Sequence, residues 1–134
     1  MANIGQTIII RTDIFNLPED MGLMAAQVAH IHFESMRQHI LDTKRSKLDL
    51  TPSENMWIKE PYLFVKKVPN IEGLNHFKHL AWEAKLPVTN WVDTVYVRLS
   101  PTMKKAFPNT LVGISIGPAD ADAIRTVVGD LPLL

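Results

Sequence analysis

Three consecutive isoleucines, Ile8, Ile9 and Ile10, stand between Thr7 and Arg11, and a short β-branched run of this kind is the pattern of a central strand covered on both faces. Such a strand needs helices above and below it. The first follows a polar connection, Thr12 to Met21, in which Pro18, Glu19 and Asp20 supply turn chemistry and negative charge where a helix N-terminus favours it. From Gly22 the apolar residues Ala26, Ala29, Phe33, Met36 and Ile40 recur at alternating intervals of three and four. That spacing predicts an amphipathic helix with these residues on its buried stripe. Small side chains at Gly22, Ala25, Ala26 and Ala29 predict a close approach to a sheet. A second stripe, Leu23, Gln27, His30, Glu34 and Arg37, is polar apart from Leu23 and is expected to face a groove or solvent.

Further along, Thr51-Pro52-Ser53-Glu54 suggests a loop or short helix capped by Ser53. The aromatic and β-branched run Tyr62 to Val68, bounded by Pro61 and Pro69, reads as a second strand. Asn70 is placed to cap a helix whose apolar face is Ile71, Leu74, Phe77 and Ala81, with Pro87 as its stop. Trp91 to Val97 and Thr110 to Ile116 predict strands three and four. Gly117-Pro118 then predicts a turn, Asp120 or Asp122 a short helix through Val127, and Gly129 its end. Alternating strands and helices predict an α/β fold, a single three-layer domain over residues 1–134 with helices on both faces of the sheet. The first crossover should be parallel and strands three and four antiparallel, giving a mixed sheet of about four strands, with Asp93 opening toward the N-terminus of the first helix.

Composition narrows the function. The 134 residues carry 14 basic and 14 acidic side chains and no cysteine. No global field draws the chain to a polyanion, and disulfides, thiolate metal sites and a cysteine nucleophile are excluded. Neither a signal peptide nor a membrane span is visible near the N-terminus. Lys44-Arg45-Ser46-Lys47, Lys66-Lys67 and Lys104-Lys105 are the local basic clusters that any phosphate contact would have to use. Asp93 lies between Val92 and Val95 in an apolar strand, where a carboxylate is costly unless paired, hydrogen-bonded or at the strand's rim. It is therefore a candidate general base. Gln27 and His30 share a helix face, whereas His32 points nearly opposite to His30, which makes a poor metal site. His76 and His79 read as solvated helix surface, and Trp57, Trp82 and Trp91 as dispersed core or cover.

The order of these motifs resembles the type 2 peptidyl-tRNA hydrolase family over nearly the whole chain, Thr7 to Leu134. That family opens with a strand ending in a basic residue, a variable residue and an aspartate, as Arg11-Thr12-Asp13 does. Its first helix carries Gly-Lys-x-Ala-Ala-Gln-x-x-His, matched by Gly22-Leu23-Met24-Ala25-Ala26-Gln27-Val28-Ala29-His30 with leucine in place of lysine. An aspartate in the third strand corresponds to Asp93, although the family's threonine four residues later falls at Val97. The fourth strand, Thr-Val-Leu-x-Ile-Gly-Pro, is matched by Thr110 to Pro118 with one extra residue, and Val127-Val128-Gly129-Asp130-Leu131-Pro132-Leu133-Leu134 matches the family's ending.

The resemblance implies a cytoplasmic enzyme that hydrolyses the ester between a peptidyl group and tRNA, with water as nucleophile and neither metal nor cofactor. Asp93 would orient or deprotonate the water, His30 and Gln27 would position the substrate, and Thr110 would bind or polarise it. Leu23, Arg98, Lys104 and Lys105 are the expected substrate-binding positions. The alternative is a non-catalytic RNA-binding or protein-interaction module on the same fold, favoured by the missing lysine and the zero net charge. tRNA is the expected partner, no membrane is expected, and a homodimer is left open.

Overall fold

The isoleucine strand β1 (Ile4–Arg11) lies inside a four-stranded sheet. It pairs in parallel with β2 (Tyr62–Val68) on one side. On the other it pairs antiparallel with β4 (Thr110–Asp120), which in turn carries β3 (Val88–Asp93), also antiparallel, at the far edge. The sheet is mixed as expected, with order β2-β1-β4-β3. The computed structural model describes residues 3–15, 18–41, 50–59, 62–93 and 110–134.

Two apolar layers sandwich the sheet. On one face Ile9, Val68, Ile114 and Ile116 pack against Leu74 and Ala81 of α3 (Ile71–Glu83) and Ile124 and Val128 of α4 (Ala121–Val128). On the other, Ile8, Ile10 and Val112 pack against Ile31 of α1 (Met21–Met36), joined by Ile14 from the connection. A short helix, α2 (Pro52–Lys59), sends Trp57 into the protein on the α1 side, where its ring meets His32 edge-on. Among the described residues no helix is long and apolar enough to cross a membrane.

Local chemistry explains most of the boundaries. Asn70 Oδ1 accepts from the Gly73 amide and Asp120 Oδ2 from that of Ala123, so both helices on the apolar face begin at a side-chain cap. α2 starts two residues earlier than a Ser53 cap would place it. Thr51, not Ser53, is the cap: Thr51 Oγ1 accepts from the Glu54 amide while Glu54 Oε1 accepts from the Thr51 amide, with Pro52 in the first helical position. β3 begins at Val88, three residues before the expected Trp91; Thr94 to Val97, the rest of the expected strand, lie outside the described residues. Nor does Gly117-Pro118 end β4. The strand continues to Asp120 through a register shift against β1, and Gly117 takes φ +115° there, where a Cβ would stand 2.6 Å from the Gly5 carbonyl oxygen.

The largest correction concerns α1. The expected buried stripe is turned outward: Ala26 and Ala29 are exposed and Phe33 retains 57% of its accessible surface. The sheet instead receives Gln27, Ile31 and Ser35, with Met24 and Val28 alongside. Gly113 in β4 is the reason this face fits. A Cβ there would lie 2.7 Å from Ile31 Cδ1 and 2.7 Å from the Ile9 carbonyl oxygen, so its absence lets the branched Ile31 side chain settle against bare backbone.

Candidate active site

Several chain segments meet at the carboxyl-terminal end of β1. Arg11, its last residue, pairs with Val68 at the end of β2, while β4 begins at Thr110 and the backbone of Asp93 in β3 pairs with that of Thr110. Two of the residues expected to do chemistry, Asp93 and Thr110, are thus cross-strand neighbours.

Arg11 ties this end together. Its Nε and Nη2 donate to the two carboxylate oxygens of Asp13 at 2.8 and 2.6 Å, and Nη1 donates to the Leu111 carbonyl at 3.4 Å. The fork-on-carboxylate geometry gives two charge-assisted bonds at once. The guanidinium holds the Asp13 carboxyl below its ordinary range, and the carboxylate in turn raises Arg11. Thr12 between them donates its amide and its hydroxyl to the Val68 carbonyl. The Arg-x-Asp motif therefore fixes the ends of three strands.

α1 lies across β3 and β4, and its polar residues are fastened to β3 by one side chain. Trp91 Nε1 donates to Gln27 Oε1 at 2.7 Å, and the Trp91 ring stacks on His30 with centroids 5.2 Å apart and planes 10° from parallel. Gln27 is 3% exposed, and a buried amide is costly without such a partner. His30 is exposed on its outer side. Leu23, one turn before Gln27, is half-buried.

His32 belongs elsewhere, as its position opposite His30 implied. Its Nδ1 lies 2.8 Å from Gln6 Oε1, and Gln6 Nε2 donates to Ser115 Oγ at 2.8 Å. With Gln6 Oε1 as acceptor, this contact belongs to the neutral ring that carries its proton on Nδ1. Burial lowers the His32 pKa and favours this neutral form. His79 pairs with Glu83 on the exposed side of α3, and His76 is exposed too, in keeping with a solvated surface. Among the described residues no three His, Asp or Glu side chains converge as metal ligands. Arg98, Lys104 and Lys105 lie outside the described residues.

The sequence matches the family described as Peptidyl-tRNA hydrolase PTH2 over residues 4–134. The chain belongs to this family. It is also 33% identical over 130 residues, 95% of each chain, to a protein of Sulfurisphaera tokodaii named Peptidyl-tRNA hydrolase. Set within the peptidyl-tRNA hydrolase family, the helix Gly22–His30 and the strands bearing Asp93 and Thr110 are the elements that the resemblance marked. Trp91 is the residue that sequence reasoning missed. In the sequence it is one of three dispersed tryptophans, yet it stands two residues before Asp93 and touches both Gln27 and His30 of α1.

Proposed function

We propose that the chain hydrolyses the ester joining a peptidyl group to the 3′ end of tRNA, acting in the cytoplasm as one domain over residues 1–134. Family membership supports the reaction class, and the match over residues 4–134 supports the single domain. The observation that carries the site is the fastening of Gln27 and His30 to β3 through Trp91, two residues from Asp93. Asp93 takes a proton from water as the water oxygen attacks the ester carbonyl. The bond to the ribose oxygen then breaks, and that oxygen is protonated as the tRNA leaves. Gln27 and His30 hold the substrate against this carbonyl, and Thr110 binds or polarises it.

Leu23 offers no charge to the oxyanion that forms during attack. Replacing it with lysine, Leu23→Lys, should raise turnover on the order of ten- to a thousand-fold, the scale of one well-placed donor. Where Arg98, Lys104 or Lys105 already supplies that charge, Leu23→Lys changes little and removal of the supplying cation abolishes turnover.

Leucine at the family's lysine position, with a net charge of zero, favours a second reading, a module that binds RNA or protein without chemistry. Turnover of N-acetylaminoacyl-tRNA by the purified protein, beside Asp93→Asn, separates the two. The enzyme should lose on the order of a hundred- to ten-thousand-fold in the variant. tRNA binding without turnover in the wild type would select the module. Sedimentation equilibrium with and without tRNA would distinguish a monomer from a homodimer.

A further inference from the structure

An indole N–H can only donate, so the atom of Gln27 that it meets at 2.7 Å must be the amide oxygen. This single contact removes the usual ambiguity of a glutamine, whose two ends have similar shape and opposite hydrogen-bonding sense. With Oε1 held by Trp91, whatever Gln27 Nε2 meets it meets as a donor. The same indole carries the His30 ring in a near-parallel stack, so one side chain sets the rotamers of both polar residues on this side of α1. The helix is pressed to the sheet at Gly113, the cross-strand partner of Trp91, where a Cβ would displace Ile31. With no side chain on β4 at that position, the helix lies close to the strand that carries the indole.

We propose that Trp91 is a positioning residue which locks Gln27 as a hydrogen-bond donor toward the scissile carbonyl and holds His30 beside it. The inference rests on the hydrolase reading above. In this chain it has a specific use. Leu23, one turn earlier on α1, has no polar atom to offer, and an amide N–H fixed in direction is a neutral means of stabilising a developing oxyanion at the next turn.

Two variants separate this role from a merely structural one. Trp91→Phe keeps an aromatic ring for His30 but frees the amide to rotate; kcat should fall about tenfold, the effect of one hydrogen bond, with KM within about twofold. Gln27→Glu keeps an acceptor for the indole and, when ionised, offers no donor; burying the carboxyl should lower the thermal unfolding temperature, and kcat at a pH where it is ionised should fall on the order of a hundredfold. A Gln27→Glu protein with wild-type kcat would overturn the proposal, as would a Trp91→Phe protein whose kcat is unchanged.

The indole Nε1–H proton resonance of Trp91 gives a readout independent of turnover. It should move upfield in Gln27→Met, where the acceptor is gone, and stay downfield in Gln27→Glu. No movement in Gln27→Met would overturn the proposal even if both kinetic variants were impaired. An inert wild type would instead end the hydrolase reading, and the resonance alone would then decide whether Trp91 fixes the amide.

Discussion

Beneath α3 and α4 the sheet presents Ile9, Ile114 and Ile116 to Leu74, Ala81, Ile124 and Val128, with Thr7 of β1 the buried polar residue beside them. Beneath α1 the sheet interrupts Ile8 and Ile10 with Gln6, Ser115 and Thr89, and the helix brings Gln27, Ser35 and His32 to that side, where His32 meets Gln6 and Gln6 meets Ser115. Hydrocarbon packing contributes much free energy and tolerates rearrangement when volume is kept. A buried amide or imidazole contributes little net free energy but accepts few geometries, because leaving it unpaired is costly. One face of the sheet thus supplies stability, and the other fixes the directions of polar side chains, which is what a site requires.

Substitutions can break that contrast, and the largest effect should come from the apolar face. Leu74→Ala, at a fully buried position, should lower unfolding free energy by about 2–5 kcal/mol in urea titration, leaving the Trp91 indole resonance in place. On the polar face Gln6→Met keeps the length of the side chain but strands His32 and Ser115. It should cost about 1–3 kcal/mol, and a loss as great as that of Leu74→Ala would erase the distinction between the faces.

A smaller effect belongs to the Arg11–Asp13 pair at the rim. The folded-state pKa of Asp13 is depressed, so its contribution is present above the ordinary carboxylate pKa and disappears as pH falls through the lowered one. The stability difference between wild type and Asp13→Asn, below about 1 kcal/mol at neutral pH for so open a pair, should close on acidification in low salt. A difference that grew at acid pH would contradict the pairing. The smallest effect is expected at Phe33, on the outward face of α1. Phe33→Ser should change stability by no more than about 0.5 kcal/mol, whereas a buried Phe33 would give a loss several times larger.

That last position marks where the sequence became hard to read. The order of strands and helices was legible because Ile8 to Ile10, Tyr62 to Val68 and the caps Asn70 and Asp120 each announce themselves within a few residues. The facing of α1 was not. Met24, Val28 and Ile31 form an apolar stripe that rivals Ala26, Ala29 and Phe33, and the winning stripe is broken by Ser35 and by Gln27, whose burial depends on a partner in the sheet. Gly113 decides between the two, and no pattern inside the helix refers to it. The same limit applies to the site. Asp93, Gln27 and His30 could be picked out as chemically capable side chains, but the contact that orients Gln27 comes from a residue 64 positions away. Ser53 was passed over as a cap for a purely local reason, since Thr51 with Pro52 and Glu54 completes a reciprocal pair of bonds that a lone serine would not.

The placement of β1 beside β4 also governs how the molecule is assembled in time. These two strands are the first and the last in the chain, yet they form the middle of the sheet, and the Gln6–Ser115 bond spans 109 positions. The entropy of closing so long a loop is lost before most of the stabilising contacts exist, and chains dominated by distant pairings fold more slowly than those built from neighbours. β3 and β4 can associate early, since they adjoin in the chain order. The centre of the protein forms only when its first strand meets its last, and the βαβ half made before that has no second neighbour for β1.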